Sequence, residues 1–236
     1  MIEHLAGRST GLSLANLESV IESASRMAAK KNTVLNDELL EEAFELSRHG
    51  EKKDWGHTYL ERVARHEAGH AFICYLEGNT PAYLTIIARG NHGGYMEHAD
   101  DEGSPMKTKA ELFGRIRTSL GGRAAEIVYY GDKDGISSGA SGDLQSATRI
   151  ARTMICTYGM DEETGMAVLS NEEATKGPMA EKITRRISQI IEEELKRSIE
   201  MIAKGRSQID KLVEQLLAKN KLTKDEIYSL LSNFKQ

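Results

Sequence analysis

The chain has 236 residues, of which 39% are hydrophobic and 28% are charged, a composition typical of a globular protein with a hydrophobic core. Its formal net charge of −5 gives no reason to expect a nucleic-acid-binding protein. The sequence contains neither a run of about 18 apolar residues nor a G-x-x-x-x-G-K-S/T phosphate loop, so it predicts no membrane span and no nucleotide site of that kind.

The first fifty residues predict a pair of amphipathic helices. Ser13 is a suitable N-cap for a helix over Leu14–Lys30, because its hydroxyl can accept a bond from a free backbone N–H group. Asn36 or Asp37 can begin a second helix, which ends before Gly50.

The next segment carries the most informative motif of the chain. The polar residues 51–57 predict a linker, and Thr58–Glu77 predicts a helix that contains H-E-A-G-H at residues 66–70. Two histidines four apart differ by about 40° around a helix axis, so the imidazoles of His66 and His70 can reach one ion. Glu67 stands beside them, where its carboxylate can accept a proton from water.

A short string of this kind also arises by chance, with a probability of about a few per cent. The surrounding pattern favours a metal site, because apolar residues and the two histidines follow one another at steps of three or four: Tyr59, Val63, His66, His70 and Ile73. Histidines on such an inward face need partners, and one metal ion would serve both. We therefore predict a zinc site rather than a structural histidine pair.

A small β element follows this helix. Residues 78–81 break the chain, Tyr83–Ala88 predicts a strand, and Gly94–His98 predicts a returning strand. The charged segment Asp100–Lys107 predicts an exposed loop.

A helical region comes next. Thr108–Gly121 predicts a helix, and Gly121 with Gly122 permits either a tight turn or a close approach of two helices before Arg123–Tyr130.

The motif leaves one zinc ligand to be found, because a catalytic zinc has three protein ligands and one open position. Glu126 and Asp143 both lie at or near predicted helices, and Asp143 opens the predicted helix Leu144–Tyr158. An aspartate there often only caps the helix. Spacing does not choose among the candidates, which are His92, His98, Glu126, Asp132 and Asp143.

From Pro178 onward the chain predicts long helices, with an interruption at Gly205 and a short final helix capped by Thr223. The apolar stripe of these helices is typical of a core, although part of it could face another subunit. Cys74 and Cys156 predict buried thiols in a reducing compartment such as the cytoplasm. The expected fold is mainly α with a small antiparallel β element.

Three motifs in this order resemble the peptidase domain of the FtsH family, the ATP-dependent AAA zinc metalloproteases. They are H-E-A-G-H at residues 66–70, G-G-R-A-A-E at residues 121–126 and S-G-A-S-G-D-L at residues 138–144. The similarity runs from about Leu12 to the C-terminus and is strongest between Arg65 and Gly165.

The resemblance implies a role for each site residue. His66, His70 and Asp143 would be the zinc ligands, Glu67 would be the catalytic base, and Glu126 would be a supporting carboxylate. The choice of Asp143 as third ligand comes from the resemblance.

The resemblance also implies a domain organisation. Residues 1–50 would be a fragment of the helical lid of an AAA module, residues 51–57 a linker and residues 58–236 the zinc peptidase domain. The family carries its ATPase module and a membrane anchor ahead of the peptidase, so we interpret the chain as the tail of a longer protein.

The same resemblance implies the substrates and the assembly of the protein. The family degrades unfolded or damaged proteins, forms hexameric rings and uses ATP-driven threading, and alone this chain is expected to cleave only loosely folded polypeptides. A substrate could add its backbone to the exposed strand beside the zinc cleft, unless that hairpin is only structural. His92 and Tyr95 are candidates for stabilising the oxyanion.

Two other functions compete with this one. The helical C-terminal region could form an assembly module with an idle or structural metal site, which a fourth protein ligand such as His92 would indicate. The chain could also be a different H-E-x-x-H hydrolase, such as a regulatory protease with a narrow substrate range.

Overall fold

The structure, a computed structural model, is mainly α with one small antiparallel sheet, as the sequence predicts. It describes residues 5–6, 8–9, 12–54, 56, 59–90, 92–98, 106–170 and 172–232. The helices are α1 (Leu14–Lys30), α2 (Asp37–His49), α3 (Leu60–Leu76), α4 (Lys109–Tyr130), α5 (Ser141–Cys156), α6 (Gly177–Lys204), α7 (Arg206–Lys219) and α8 (Lys224–Leu231). The strands are β1 (Pro81–Thr85), β2 (Tyr95–His98) and β3 (Lys221–Thr223).

Helices α1 and α2 pack against each other at the N-terminal end of the chain. The hydroxyl of Ser13 accepts a bond from the backbone N–H of Asn16, and Asn36 caps α2 in the same way, as the sequence predicts. Their shared core is small and contains Val20 and Phe44.

Helix α3 lies in the centre of the larger core. Ala64, Ala68 and Ala71 are fully buried together with Phe72 and Ile73, and residues of α7 and α8 join the same cluster. The small side chains allow neighbouring helices to approach closely, so α3 is enclosed by α4 on one side and α7 on another.

Helix α4 is one continuous helix of 22 residues, so the predicted tight turn at Gly121 and Gly122 is wrong and the predicted close approach of two helices is confirmed. Thr108 and Glu111 form a capping box at its start. The two glycines remain helical because both are buried against α3, where tertiary packing outweighs their low helix propensity.

The sheet has the order β2-β1-β3, with β1 antiparallel to both neighbours. Strand β1 ends at Thr85, three residues before the predicted end. Strand β3 was not predicted. Its three residues contain one apolar side chain, Leu222, so the sequence carries no alternating pattern there.

The segment between α2 and α3 lies against residues 88–90, which follow β1. The backbone N–H of Lys53 donates to the carbonyl of Ala88, and the Lys52 ammonium lies 2.6 Å from the Glu42 carboxylate. Other parts of the predicted linker and loops, namely Trp55, His57 and residues 100–105, lie outside the described residues.

The C-terminal helices meet at Gly205, the predicted interruption. Helix α6 ends at Lys204, and α7 begins at Arg206. A Cβ atom at position 205 would lie 1.9 Å from Cζ of Phe72, so the ring of this core residue takes the space of a side chain there. Thr223 caps α8, as predicted. Within the described part of the chain, no helix has the length and apolar character needed to cross a membrane.

We predict that Gly205→Ala lowers the free energy of unfolding by about 1–3 kcal/mol, because the added methyl group would overlap the buried Phe72 ring. Thermal and urea unfolding would measure the change. Gly142→Ala is the matched control, since a Cβ atom there has open space. Equal stability of the two variants would contradict the packing argument.

Candidate active site

Helix α3 presents two histidines to the same point. His66 and His70 lie one turn apart, both are buried, and their Nε2 atoms are 3.2 Å from each other. The predicted inward face is therefore confirmed at His66, His70 and Ile73, whereas Tyr59 at its start is exposed.

Asp143 lies beside the two imidazoles. It stands in the first turn of α5, and its Oδ2 atom is 3.1 Å from Nε2 of His66 and 3.3 Å from Nε2 of His70. Among the described histidine, cysteine, aspartate and glutamate residues, these three form the group that could hold a metal ion.

The other candidate ligands lie elsewhere. His92, His98 and Asp132 are exposed and do not belong to this group. Glu126 contacts the opposite nitrogen of His66, away from Asp143.

The donor set fits a zinc ion. Ligands at about 2.0–2.1 Å from a tetrahedral ion lie about 3.3 Å from each other, and the three observed separations are close to this value. Two imidazoles and one carboxylate also match the ligand types that zinc prefers, and they leave a fourth position open.

The remaining nitrogen of each imidazole has its own partner on α4. Nδ1 of His66 lies 3.2 Å from Oε1 of Glu126, and Nδ1 of His70 lies 2.7 Å from the carbonyl oxygen of Thr118. A proton on Nδ1 makes both bonds, so Nε2 of each ring keeps its lone pair for an ion.

Glu126 also joins the two parts of the site. Its carboxylate accepts bonds from the backbone N–H of Ser137 at 2.9 Å and from the Ser137 hydroxyl at 2.5 Å. Arg123 donates to the Ser137 carbonyl at 2.8 Å. The loop that leads to Asp143 is thereby fixed to the helix that supports His66.

Close packing of α3 and α4 makes these contacts possible. A Cβ atom on Gly121 would lie 2.7 Å from the carbonyl oxygen of Gly69, so the two backbones touch. A Cβ atom on Gly122 would lie 2.3 Å from Nε2 of His66, which shows that the imidazole lies directly against the bare backbone of α4.

The charges of the metal-free site are strongly coupled. Burial disfavours the imidazolium of His66, but hydrogen bonds to Asp143 and Glu126 outweigh it and raise the pKa of His66 to about 10. Burial likewise opposes charge on His70, and Asp143 nevertheless raises the His70 pKa. Zinc needs neutral imidazoles, so metal binding must displace these protons.

Glu67 is buried next to both histidines on α3. Burial raises the pKa of its carboxyl group, and the two histidines act against that increase. The first residue before β2 borders it, since a Cβ atom on Gly94 would lie 3.1 Å from Cγ of Glu67. Strand β2 therefore starts at the edge of the site.

The two oxyanion candidates are not equivalent. The Tyr95 hydroxyl donates to the carboxylate of Glu45, so it is hydrogen-bonded to α2. The side chain of His92 is exposed.

Sequence reasoning missed the supporting contacts of Thr118, Gly122 and Ser137. A partial signal was present, because Gly122 and Glu126 stand four residues apart in G-G-R-A-A-E and therefore share a helix face. Because the sequence also allowed a turn at Gly121 and Gly122, it did not show that Gly122 and Glu126 lie on one continuous helix.

Comparison with known proteins identifies relatives of the chain. The family model of Peptidase family M41 matches residues 57–230. The chain is 33% identical to the ATP-dependent zinc metalloprotease FtsH of Metamycoplasma arthritidis and 32% identical to that of Thermotoga maritima, in each case over 98% of its length. The chain covers 33% and 41% of these two relatives, so it spans well under half of their length.

We predict that Gly122→Ala lowers zinc affinity by at least about 10-fold, because the new methyl group would displace the His66 imidazole. Zinc content after dialysis and competition with a chromogenic chelator would measure the loss. Gly142→Ala, next to Asp143 but with free space around its Cβ position, is expected to retain wild-type affinity. Full zinc binding by a folded Gly122→Ala variant would contradict the prediction.

Proposed function

The chain belongs to peptidase family M41, and from this membership and the geometry of the site we propose that it is a zinc metalloendopeptidase. The carrying observation is that Nε2 of His66, Nε2 of His70 and Oδ2 of Asp143 converge within 3.1–3.3 Å of one another. These three atoms would hold the ion, and Glu67 stands on the same helix as both histidines.

The reaction hydrolyses a peptide bond with one water molecule. A bound zinc ion supplies the Lewis acid that polarises the scissile carbonyl and makes water more acidic. The Glu67 carboxylate accepts a proton from the attacking water and later donates it to the leaving amine.

The contacts of the two Nδ1 atoms orient the histidines for metal binding. Glu126 and the Thr118 carbonyl accept from the Nδ1 atoms and so direct both Nε2 lone pairs towards the ion. Fixing the ring orientation in the folded protein removes a reorganisation step at the moment of catalysis.

The substrate is a loosely folded polypeptide that pairs with β2. This strand lies at one end of the sheet order β2-β1-β3, and no described strand pairs with its outer side. An extended substrate can therefore form main-chain bonds along it, as in β-strand addition. Gly94 brings the start of β2 to Glu67, so the bound backbone passes the proton acceptor.

The N-terminal residues belong to a different unit of the full protein. We assign residues 1–50 to the lid of an ATPase module, residues 51–57 to a linker and residues 58–236 to the peptidase domain. The family match beginning at residue 57 supports this division. The two relatives are ATP-dependent metalloproteases by name, and we propose that an ATPase module outside this chain threads the substrate. We also propose a homo-hexameric ring.

We propose that the protein is located in the cytoplasm. Cys74 and Cys156 are buried free thiols, which is consistent with the reducing cytoplasm.

The competing assembly module would need a closed metal site. His92, the suggested fourth ligand, has an exposed side chain and stands outside the described ligand group, so the open position favours catalysis.

We predict that Glu67→Gln lowers kcat for cleavage of unfolded casein by about 10²–10⁴-fold while the protein keeps one zinc per chain, because the amide cannot accept the proton. Asp143→Ala is expected to lose the zinc itself. Glu61→Gln, an exposed glutamate of the same helix, is the matched control and should cleave normally. Proteolysis retained by Glu67→Gln would refute the mechanism.

We predict that Glu126→Gln weakens zinc binding by about 10–100-fold, because His66 loses a charged acceptor at Nδ1. Asp132→Asn, at an exposed candidate position, is expected to bind zinc normally. Chelator competition would rank the variants, with Asp143→Ala weakest. Weaker zinc binding by Glu126→Gln than by Asp143→Ala would instead indicate that Glu126 is the third ligand.

A further inference from the structure

Strand β2 is attached to helix α2 by a matched pair of contacts. Tyr95 and Glu97 are alternate residues of β2 and share one face, with a rise of about 7 Å between them. Glu45 and His49 of α2 are four residues apart, a rise of about 6 Å on one helix face. The two spacings agree, so one helix face can contact both strand residues.

Glu97 is held from two sides. Its carboxylate accepts from Nε of Arg8 at 2.6 Å and lies 3.1 Å from Nε2 of His49. The side chain is 11% exposed, so both contacts are largely shielded from water. Burial alone would raise the pKa of Glu97, yet His49 and Arg8 lower it to about 2.

Tyr95 completes the connection. Its hydroxyl donates to Glu45, and its ring stacks on the His49 ring with centroids 3.9 Å apart. Arg8 also donates to Glu45 at 2.5 Å, so the guanidinium of one residue spans the acceptors on α2 and β2. The group of Arg8, Glu45, His49, Tyr95 and Glu97, which we call the α2–β2 clamp, is thus a connected network of side-chain contacts.

The same strand is fixed to the candidate active site at its other end. Gly94 precedes Tyr95 directly, and a Cβ atom on it would lie 2.8 Å from Cγ1 of Val63 and 3.1 Å from Cγ of Glu67. A shift of β2 therefore changes either the contact with α3 or the position of the strand relative to Glu67. The strand connects α2 with the proton acceptor.

Building on the proposed function, we propose that Tyr95 and Glu97 are positioning residues of the peptidase, which set the place of the substrate-pairing strand relative to Glu67. Neither side chain needs to contact the substrate. Each acts through the backbone of β2, and α2 supplies the fixed partner.

A consequence is that α2 influences cleavage although it lies outside residues 57–230, the part of the chain that the peptidase family model matches. Displacement of α2 would pull on Tyr95 and Glu97, whose backbone carries the strand. The lid fragment is then a structural part of the peptidase site.

The test compares Glu97→Gln and His49→Ala in the full chain with wild type. A quenched fluorescent peptide of ten residues or more reports kcat and KM, and metal analysis reports zinc. We expect kcat/KM to fall about 10-fold in each variant, because a small displacement of bound substrate is costly, while zinc stays at one per chain. Asp161→Asn removes a comparably buried ion pair with Arg186, remote from the clamp, and serves as the control.

A double-mutant cycle separates positioning from general destabilisation. Glu97→Gln combined with His49→Ala is expected to lose less activity than the two single losses combined, because both changes remove the same Glu97–His49 contact. Additive losses, or kcat/KM values equal to that of Asp161→Asn, would overturn the proposal. If Glu97→Gln does not fold, Tyr95→Phe keeps the ring stacking, removes only the bond to Glu45, and is expected to lose activity in the same direction.

The outcome also distinguishes the two proposals of function and positioning. Equal cleavage by wild type, Glu97→Gln and His49→Ala would overturn the positioning role alone. Absence of cleavage by zinc-loaded wild type would overturn the proposed function, and the positioning role would fall with it.

Discussion

The contact between α3 and α4 is the constraint on which the site depends. The two backbones touch at Gly69 and Gly121, so each turn of one helix faces a turn of the other. Thr118, Gly122 and Glu126 follow one another at intervals of four on α4, and the histidines have the same interval on α3. One face of α4 therefore contacts both imidazoles. The Thr118 carbonyl accepts from His70, and the Gly122 backbone and the Glu126 carboxylate contact His66.

This arrangement extends to Asp143, the proposed third ligand, through a single carboxylate. Glu126 bonds to His66 with one oxygen and to Ser137 with both, so it fixes the loop that leads to Asp143 with respect to the helix that carries the histidines. Its pKa is lowered, because the hydrogen bonds of His66 and Ser137 outweigh the effect of burial. A charged residue in this place stabilises both halves of the site.

The sequence predicts the amphipathic helices and the histidine pair well, because α1, α2 and α6 each have one apolar face and the motif on α3 has a spacing that implies its geometry. It does not choose between Asp143 and Glu126, since both are acidic residues of helices and their separation along the chain says nothing about which nitrogen of His66 each meets. Strand β3 escaped prediction for a related reason. Its pairing with Tyr83 depends on a partner far away in the chain, not on a local pattern.

That distant pairing has a consequence for how the protein is made. All three proposed ligands have been synthesised once translation reaches residue 143, but β1 obtains its second neighbour only with Lys221–Thr223. The core around Phe72 likewise awaits Ile209 and Leu212. The proposed ligands and proton acceptor are therefore synthesised before part of the core that supports them, and α3 is fully enclosed only when the last helices have been made.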